Sequence, residues 1–360
     1  MSKKIKIEKE SVEAAVLGGA VLGGGGGGWI EEGRKIGHLA LEKSFSEILT
    51  VEDLSEEAVV LTCSAVGAPS VGACLLEPED YVRAVELFVQ ETKIKVNGLI
   101  SSEIGALGIV NGWLQSAVLN IPLIDAPCNG RAHPLGLMGS MGLNREQGYI
   151  SLQAAVGGSS AGGNRVEAFF RGPLKEVSKK VREAAVKAGG MVAVARNPVP
   201  ASYVKENGAP GAITMAFKIG EIILQNRDSE KTVKKILDFL SGDFISRGNV
   251  ERIDLSTVAG LDIGKIRIKG KRRISELCFW NEYMTLEVEG TRIATFPDLV
   301  MTFDFETSLP VISAEMKEGR EVIIISVPAE KLILGSGVKD PDLLLKIEKA
   351  IGKEILRYRH

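Results

Sequence analysis

The chain has 360 residues, 45% of them hydrophobic and 25% charged, with a formal net charge of −2. That length and composition suit a globular protein of two domains, able to bury a large core without disulfide or metal staples. Near-neutral, evenly mixed charge and an aromatic content of 5% argue against nucleic acid or a membrane surface as partner, and against base-stacking platforms.

The predicted elements run as follows. Six consecutive glycines, 23–28, precede a helix over 30–43. A buried strand is expected at 58–63, a helix at 78–92 with Pro78 in its first turn, a strand at 98–103, a helix at 106–120 and a strand at 122–125. Strand, helix and strand in succession imply βαβ units with parallel strands and right-handed crossovers. Residues 104–124 carry no charge and are long enough to span a bilayer. They contain Asn111, Gln115, Ser116, Asn120 and Pro122, and are flanked by Glu103 and Asp125, so a buried helix running into a buried strand is the better reading.

Further along, 149–156 reads as a strand and 174–188 as an amphipathic helix ended by Gly189-Gly190. Residues 191–195 read as a strand, and 211–225 and 229–240 as helices. From about Phe244 the pattern turns to β, with strands at 249–254, 265–269, 277–289, 292–305 and 321–327, before a helix over 340–357. No fixed-period repeat is present. The expected architecture is an α/β N-terminal domain with a mainly parallel sheet (1–163) and a β-rich α+β C-terminal domain (164–360), divided at the Gly/Ser cluster of 157–163.

The four cysteines, Cys63, Cys74, Cys128 and Cys278, form no CxxC pair. Neither a zinc knuckle nor a disulfide framework is expected. The basic start, Met1-Ser2-Lys3-Lys4-Ile5-Lys6, is followed by Glu8, Glu10 and Glu13, unlike a secretory signal, and the compartment is read as cytoplasm.

Three features can carry chemistry. The glycine run can present backbone amides to an anion at the start of the following helix, or be a tightly packed turn. No Gly-Lys-Ser/Thr follows it and no clear strand precedes it, so no nucleotide is expected. Glu103 and Asp125 end neighbouring parallel strands and are expected at one carboxyl edge, where open α/β sheets bind ligands. There they can divide acid and base roles, or cap helices, or pair with Arg131. Cys63 and Ser64 end an earlier strand at the same edge. Cys63 as a nucleophile needs His133 or His38 as its base, whereas an inert buried thiol is the commoner case. The segment Asp125-Ala126-Pro127-Cys128-Asn129-Gly130-Arg131-Ala132-His133-Pro134 packs an acid, a thiol, an amide, a guanidinium and an imidazole into ten residues. Asp125, Cys128 and His133 are competent ligands for zinc or another divalent metal.

Several pieces also match a known family in order and spacing: the glycine-rich 22–28 run, Gly67-Ala68-Pro69-Ser70-Val71, Glu103-Ile104-Gly105, the 122–134 run with Gly130-Arg131-Ala132, Asn281-Glu282, Phe296-Pro297-Asp298-Leu299, and Gly319 with Val322. On these the chain resembles the S-methyl thiohydantoin desulfurase-like family, whose members stand beside hydantoinase and oxoprolinase subunits. The resemblance implies an α/β domain followed by a β-rich domain. It also implies hydrolysis of a thiohydantoin or hydantoin-like ring, in which water attacks the carbon bearing sulfur and a thiol leaves. The family pattern Asp-Ala-Asp-Gly-Met-Gly-Arg-Ala-Phe-Pro differs here at 127, 128, 129 and 133, with Pro127 in place of a second acid and His133 in place of an aromatic.

The expected function is therefore a hydrolase of a cyclic amide or its thio analogue. Asp125 or Glu103 serves as base with His133 beside them, and Arg131 holds an anionic substrate group. Asn129, Gly26, Gly27, Gly28, Gly67, Asn281 and Glu282 contact substrate, and a metal, if used, sits on Asp125, Cys128 and His133. The rival readings are a non-catalytic subunit of a hydantoinase- or oxoprolinase-type partner and a small-ligand binding protein. A homo-oligomer is expected.

Overall fold

The structure is a computed structural model that describes residues 4–67, 76–226, 228–258 and 261–358. Cys74, the Ala68-Pro69-Ser70-Val71 part of the family match and His360 lie outside the described residues.

The first sheet collects β1 (Ile5–Lys6), β2 (Glu47–Leu49), β3 (Val59–Gly67), β4 (Gly98–Ser101), β5 (Leu123–Ile124), β6 (Ile150–Gly157), β7 (Val166–Pro173) and β8 (Met191–Pro200) in the order β1-β2-β5-β4-β3-β8-β6-β7. Strands β2, β5, β4 and β3 form its parallel core. The remaining neighbours join antiparallel. Around it pack α1 (Lys9–Gly23), α2 (Ile30–Glu42), α3 (Pro78–Thr92), α4 (Trp113–Leu119), α5 (Leu174–Lys187), α6 (Ala201–Asn207) and α7 (Ala212–Leu224). After α8 (Ser229–Leu240) the chain builds a second, antiparallel sheet. Its strands are β9 (Asp243–Val258), β10 (Leu261–Gly270), β11 (Ile274–Trp280), β12 (Glu282–Val288), β13 (Thr291–Thr295), β14 (Leu299–Asp304), β15 (Pro310–Val311) and β16 (Glu321–Val327), followed by α9 (Pro341–Ile351). The protein thus has an α/β N-terminal domain and a β-rich C-terminal domain.

Local sequence explains the elements. Helix α3 opens on Pro78, with Asp80 accepting from the Glu77 N–H at 3.1 Å, and buries Tyr81, Ala84, Val85 and Phe88 at helical spacing. The 277–289 run is two strands because Asn281 takes a left-handed φ of 56° between them. Likewise, 292–305 divides at the Phe296-Pro297 corner. The Gly/Ser cluster of 157–163 makes the turn of the β6–β7 hairpin, so the expected division at 163/164 falls inside the first sheet. The uncharged 104–124 run is a 3₁₀ turn, a short helix and a strand. Among the described residues no helix is long and apolar enough to cross a membrane.

The sequence pattern shows no element before the glycine run, yet α1 occupies that place. It buries eleven residues on all sides, so it carries no polar stripe to betray its period. Its partner is α7, and the two backbones touch. A Cβ on Gly18 stands 1.7 Å from the Ala216 carbonyl oxygen, and one on Gly220 stands 1.8 Å from that of Ala14. Asp125, just past β5, holds the other end of this pair. Its carboxylate accepts from the Ile213 N–H at 2.7 Å, the Thr214 N–H at 3.1 Å and the Thr214 hydroxyl at 2.6 Å, capping the first turn of α7.

Two outcomes follow for urea unfolding. Gly18→Ala pushes α1 and α7 apart and lowers stability by about 1–3 kcal/mol; an unchanged midpoint would refute the backbone contact. Asp125→Asn gives the α7 N–H donors a weaker acceptor and is expected to cost about 1–3 kcal/mol. A variant as stable as the parent would remove Asp125 from its capping role.

Candidate functional site

A cavity of about 130 Å³ opens where the two sheets meet. Because β3 and β4 run parallel, Ala65–Gly67 and Ser102-Glu103 emerge at the same edge and form one wall. Asn281 and Glu282, at the β11–β12 corner, and Asp262 of β10 form the opposite wall. Between them runs the glycine turn. The Gly27 carbonyl accepts from the Leu107 and Gly108 N–H groups at 3.0 and 3.1 Å. On the other side, Gly24 and Gly25 carbonyls accept from Tyr283 at 2.7 Å and Ser313 at 2.8 Å. Glycine is required in this turn: Gly27 has φ of 82°, and a Cβ there would stand 2.4 Å from the Gly105 Cα.

Glu103 lies at the centre. Its carboxylate accepts from the His133 N–H at 3.3 Å, and His133 Nε2 stands 3.4 Å from Oε2. Burial pushes the Glu103 carboxyl up to about 7, against the pull of the His133 amide, Arg196 and Arg131. Burial pushes Glu282 well above the carboxylate range, and the charge of Glu103 adds to it. Its own N–H, Arg131 and the Gly27 N–H pull the other way. Burial, then Arg196, lowers His133 to about 4. Burial thus favours the neutral imidazole of His133 and the uncharged form of Glu282, and holds Glu103 near the middle of its titration at neutral pH.

Of the residues expected from sequence, Glu103, His133, Gly26, Gly27, Gly28, Gly67, Asn281 and Glu282 line this one cavity. Four others face elsewhere. Asp125 follows a strand end as expected, but its oxygens are turned to the amides of α7. Cys128 Sγ lies 3.3 Å from the Thr62 hydroxyl, and burial pushes its thiol up to about 11. Asn129 donates to the Met138 carbonyl at 2.9 Å. Arg131 is fully buried. It donates to the carbonyls of Pro297, at 2.9 Å, and Asp298, and stacks on Phe296 with its guanidinium carbon 4.6 Å from the ring centroid. It is a strut between the domains and does not line the cavity, which also accounts for the Phe296-Pro297-Asp298 motif; its Nε and second terminal nitrogen are buried without a hydrogen-bond partner. Asp125, Cys128 and His133 do not converge as a metal-ligand set, and no three His, Cys, Asp or Glu side chains do so among the described residues. Cys63 lies inside β3 rather than at its end, and burial holds its thiol near 12.

Sequence reasoning missed Arg196, Arg182, Asn111 and Asp262, all in the lining. Arg196 left a signal: a charge directly continuing the apolar strand 191–195, where water cannot solvate it. Asn111 stood out only as a polar residue in an uncharged run. Arg182, one of many charges on an amphipathic helix, and Asp262 left none.

Comparison with known proteins agrees with this architecture. The S-Me-THD-like N-terminal domain model matches residues 10–165, and the S-Me-THD-like C-terminal domain model matches residues 173–336. No curated protein matches the chain. An X-ray structure of a protein from Chromobacterium violaceum superposes with a TM-score of 0.70 at 17% identity, over 97% of this chain and 96% of that one. That likeness is one of fold. The two domain models cover both halves in order, and the chain belongs to the S-Me-THD-like family.

Proposed function

We propose that the chain is a hydrolase that removes a thiol from a small cyclic thioimidate of the S-methyl thiohydantoin type. The family supports a thiohydantoin-related role. The observation that carries the chemistry is the pair of carboxyls in one buried cavity, Glu103 pushed up to about 7 and Glu282 raised well above the carboxylate range by burial and by Glu103, the kind of pair by which enzymes divide base and acid roles. The cavity, about 130 Å³, is close to the roughly 150 Å³ that holds a benzene ring.

In this reading, ionised Glu103 takes a proton from water as its oxygen bonds to the ring carbon bearing sulfur. The C=N electron pair moves to the ring nitrogen, which takes the proton of Glu282. The new hydroxyl then forms C=O, returning its proton to Glu282, while the C–S bond breaks and the thiolate leaves with the proton held by Glu103. Water has supplied one hydrogen to nitrogen and one to sulfur, and both carboxyls return to their starting states. His133, neutral and beside Glu103, keeps the carboxylate oriented without neutralising it.

The test is thiol release from an S-methyl thiohydantoin, followed with a thiol-reactive dye, and the hydantoin product identified by mass. Glu103→Gln is expected to lower kcat by about 10²–10⁴-fold; wild-type turnover would remove Glu103 as base, and no thiol release by the parent protein would overturn the reading. The pH profile gives a second check. The active form of Glu103 is ionised and burial holds its carboxyl near 7, so kcat/KM should fall as pH drops through about 7. A profile flat down to pH 5 contradicts the assignment.

A further inference from the structure

The antiparallel sheet has a stretch of strand without a neighbour. Strand β16 pairs with β9 only as far as Asn249. Just beyond, the Val250 N–H donates to the Arg320 carbonyl at 2.9 Å, the Val250 carbonyl accepts from Gly319 at 2.8 Å, and the Ile253 N–H donates to the Glu318 carboxylate at 3.2 Å. From there to Val258 the outer side of β9 is bare among the described residues, while its inner side stays paired with β10. The ladder fixes which backbone groups face out. Asp262 exchanges bonds with Asn281 on the β11 side: its N–H donates to Asn281 Oδ1 at 2.9 Å, and its carbonyl accepts from the Asn281 N–H at 2.7 Å. Directions alternate along an antiparallel strand, so Ile263, Lys265 and Arg267 point to β9, and Ser256, Asp254 and Arg252 opposite them point back. Ile253, Leu255 and Thr257 therefore turn their N–H and C=O groups outward, as the bond from Ile253 to Glu318 confirms. Strand edges are commonly blunted by Lys or Pro. Residues 253–258 hold neither, and Leu255 is 56% exposed.

We propose that this edge pairs with the same edge of a second copy of the chain, antiparallel and two-fold, with Leu255 on the axis. The proposal is independent of the hydrolase reading. Three observations favour a copy of this chain as the occupant. The outward groups at 253, 255 and 257 are symmetric about Leu255: the two Leu255 residues exchange two bonds, and each Ile253 carbonyl accepts from the opposite Thr257 N–H. The exposed leucine meets its own image, which covers both. The edge is also neutral in itself, since Arg252 pairs with Asp254 at 2.7 Å and Glu251 with Arg267 at 2.7 Å. Two copies approach it without repulsion, and an acidic or basic peptide gains no steering from it. The same hairpin carries Asp262 of the cavity wall, so pairing stiffens part of that wall.

Sedimentation equilibrium on the full chain tests this, with a reversible monomer–dimer equilibrium expected. Leu255→Pro removes an outward N–H and no bond to β10, so the urea midpoint should stay with the parent's. The dimer Kd should rise at least about tenfold, for two donors lost per dimer. Leu255→Lys sets two ammonium groups face to face on the axis and should weaken the dimer as much. In the parent, the Leu255 amide should exchange more slowly with solvent as concentration rises and the dimer forms. A parent that stays monomeric, or a dimer equally tight in both variants, overturns the proposal. A folded Leu255→Pro variant that still dimerises while Leu255→Lys does not shows leucine packing without strand pairing, and overturns it too. If Pro disturbs the hairpin, Leu255→Lys and the Leu255 amide decide: a dimer whose Leu255 amide exchanges as fast as the monomer's refutes the pairing.

Discussion

The whole site hangs on one turn of backbone. Residues 24–28 accept hydrogen bonds from Leu107 and Gly108 on one side and from Tyr283 and Ser313 on the other. The turn is the seam along which two sheets of different architecture are joined. Side chains cannot enter it, since most of its Cβ positions are already occupied by neighbouring atoms. The cavity exists because the seam holds the sheets at a fixed spacing, and Glu103 and Glu282 face each other because each is anchored beside it. Arg131 reinforces the join a short distance away by binding the backbone of the 296–298 corner.

Burial without pairing sets the chemistry of this cavity. The same loss of water that raises both glutamates lowers His133, so one physical cause produces a neutral imidazole, an acid and a poised base. Arg131 and Arg196 show the two fates of a buried guanidinium. One binds two backbone carbonyls and supports the fold, with its other two nitrogens unpartnered; the other lines the cavity, where its charge favours the ionised form of Glu103.

Much of the fold is legible in the sequence because strands and amphipathic helices leave periodic traces. The βαβ units, the shift to β structure after residue 244 and the strand-end position of Glu103 follow from pattern alone. Helix α1 does not, since an element buried on every side has no period to read. The dense segment 125–134 also reads too easily as a site. Its reactive side chains suggest shared chemistry, but Asp125, Cys128 and Arg131 each bind a distant piece of backbone or a distant hydroxyl, and Asn129 binds the Met138 carbonyl nine residues on. Only His133 of that cluster reaches the cavity. Such partners lie up to 167 residues away, and local sequence carries no trace of them.

The contact between α1 and α7 makes the two halves inseparable. Helix α1 belongs to the stretch matched by the N-terminal family model, and α7 and β8 to the stretch matched by the C-terminal one, with β7 between them. A chain cut between the two would leave β3 and β6 with open edges and α1 with a bare apolar face. The upstream fragment would aggregate through those edges. Two domains in the sense of sequence families are here one folding unit, and the site between them can be inherited only whole.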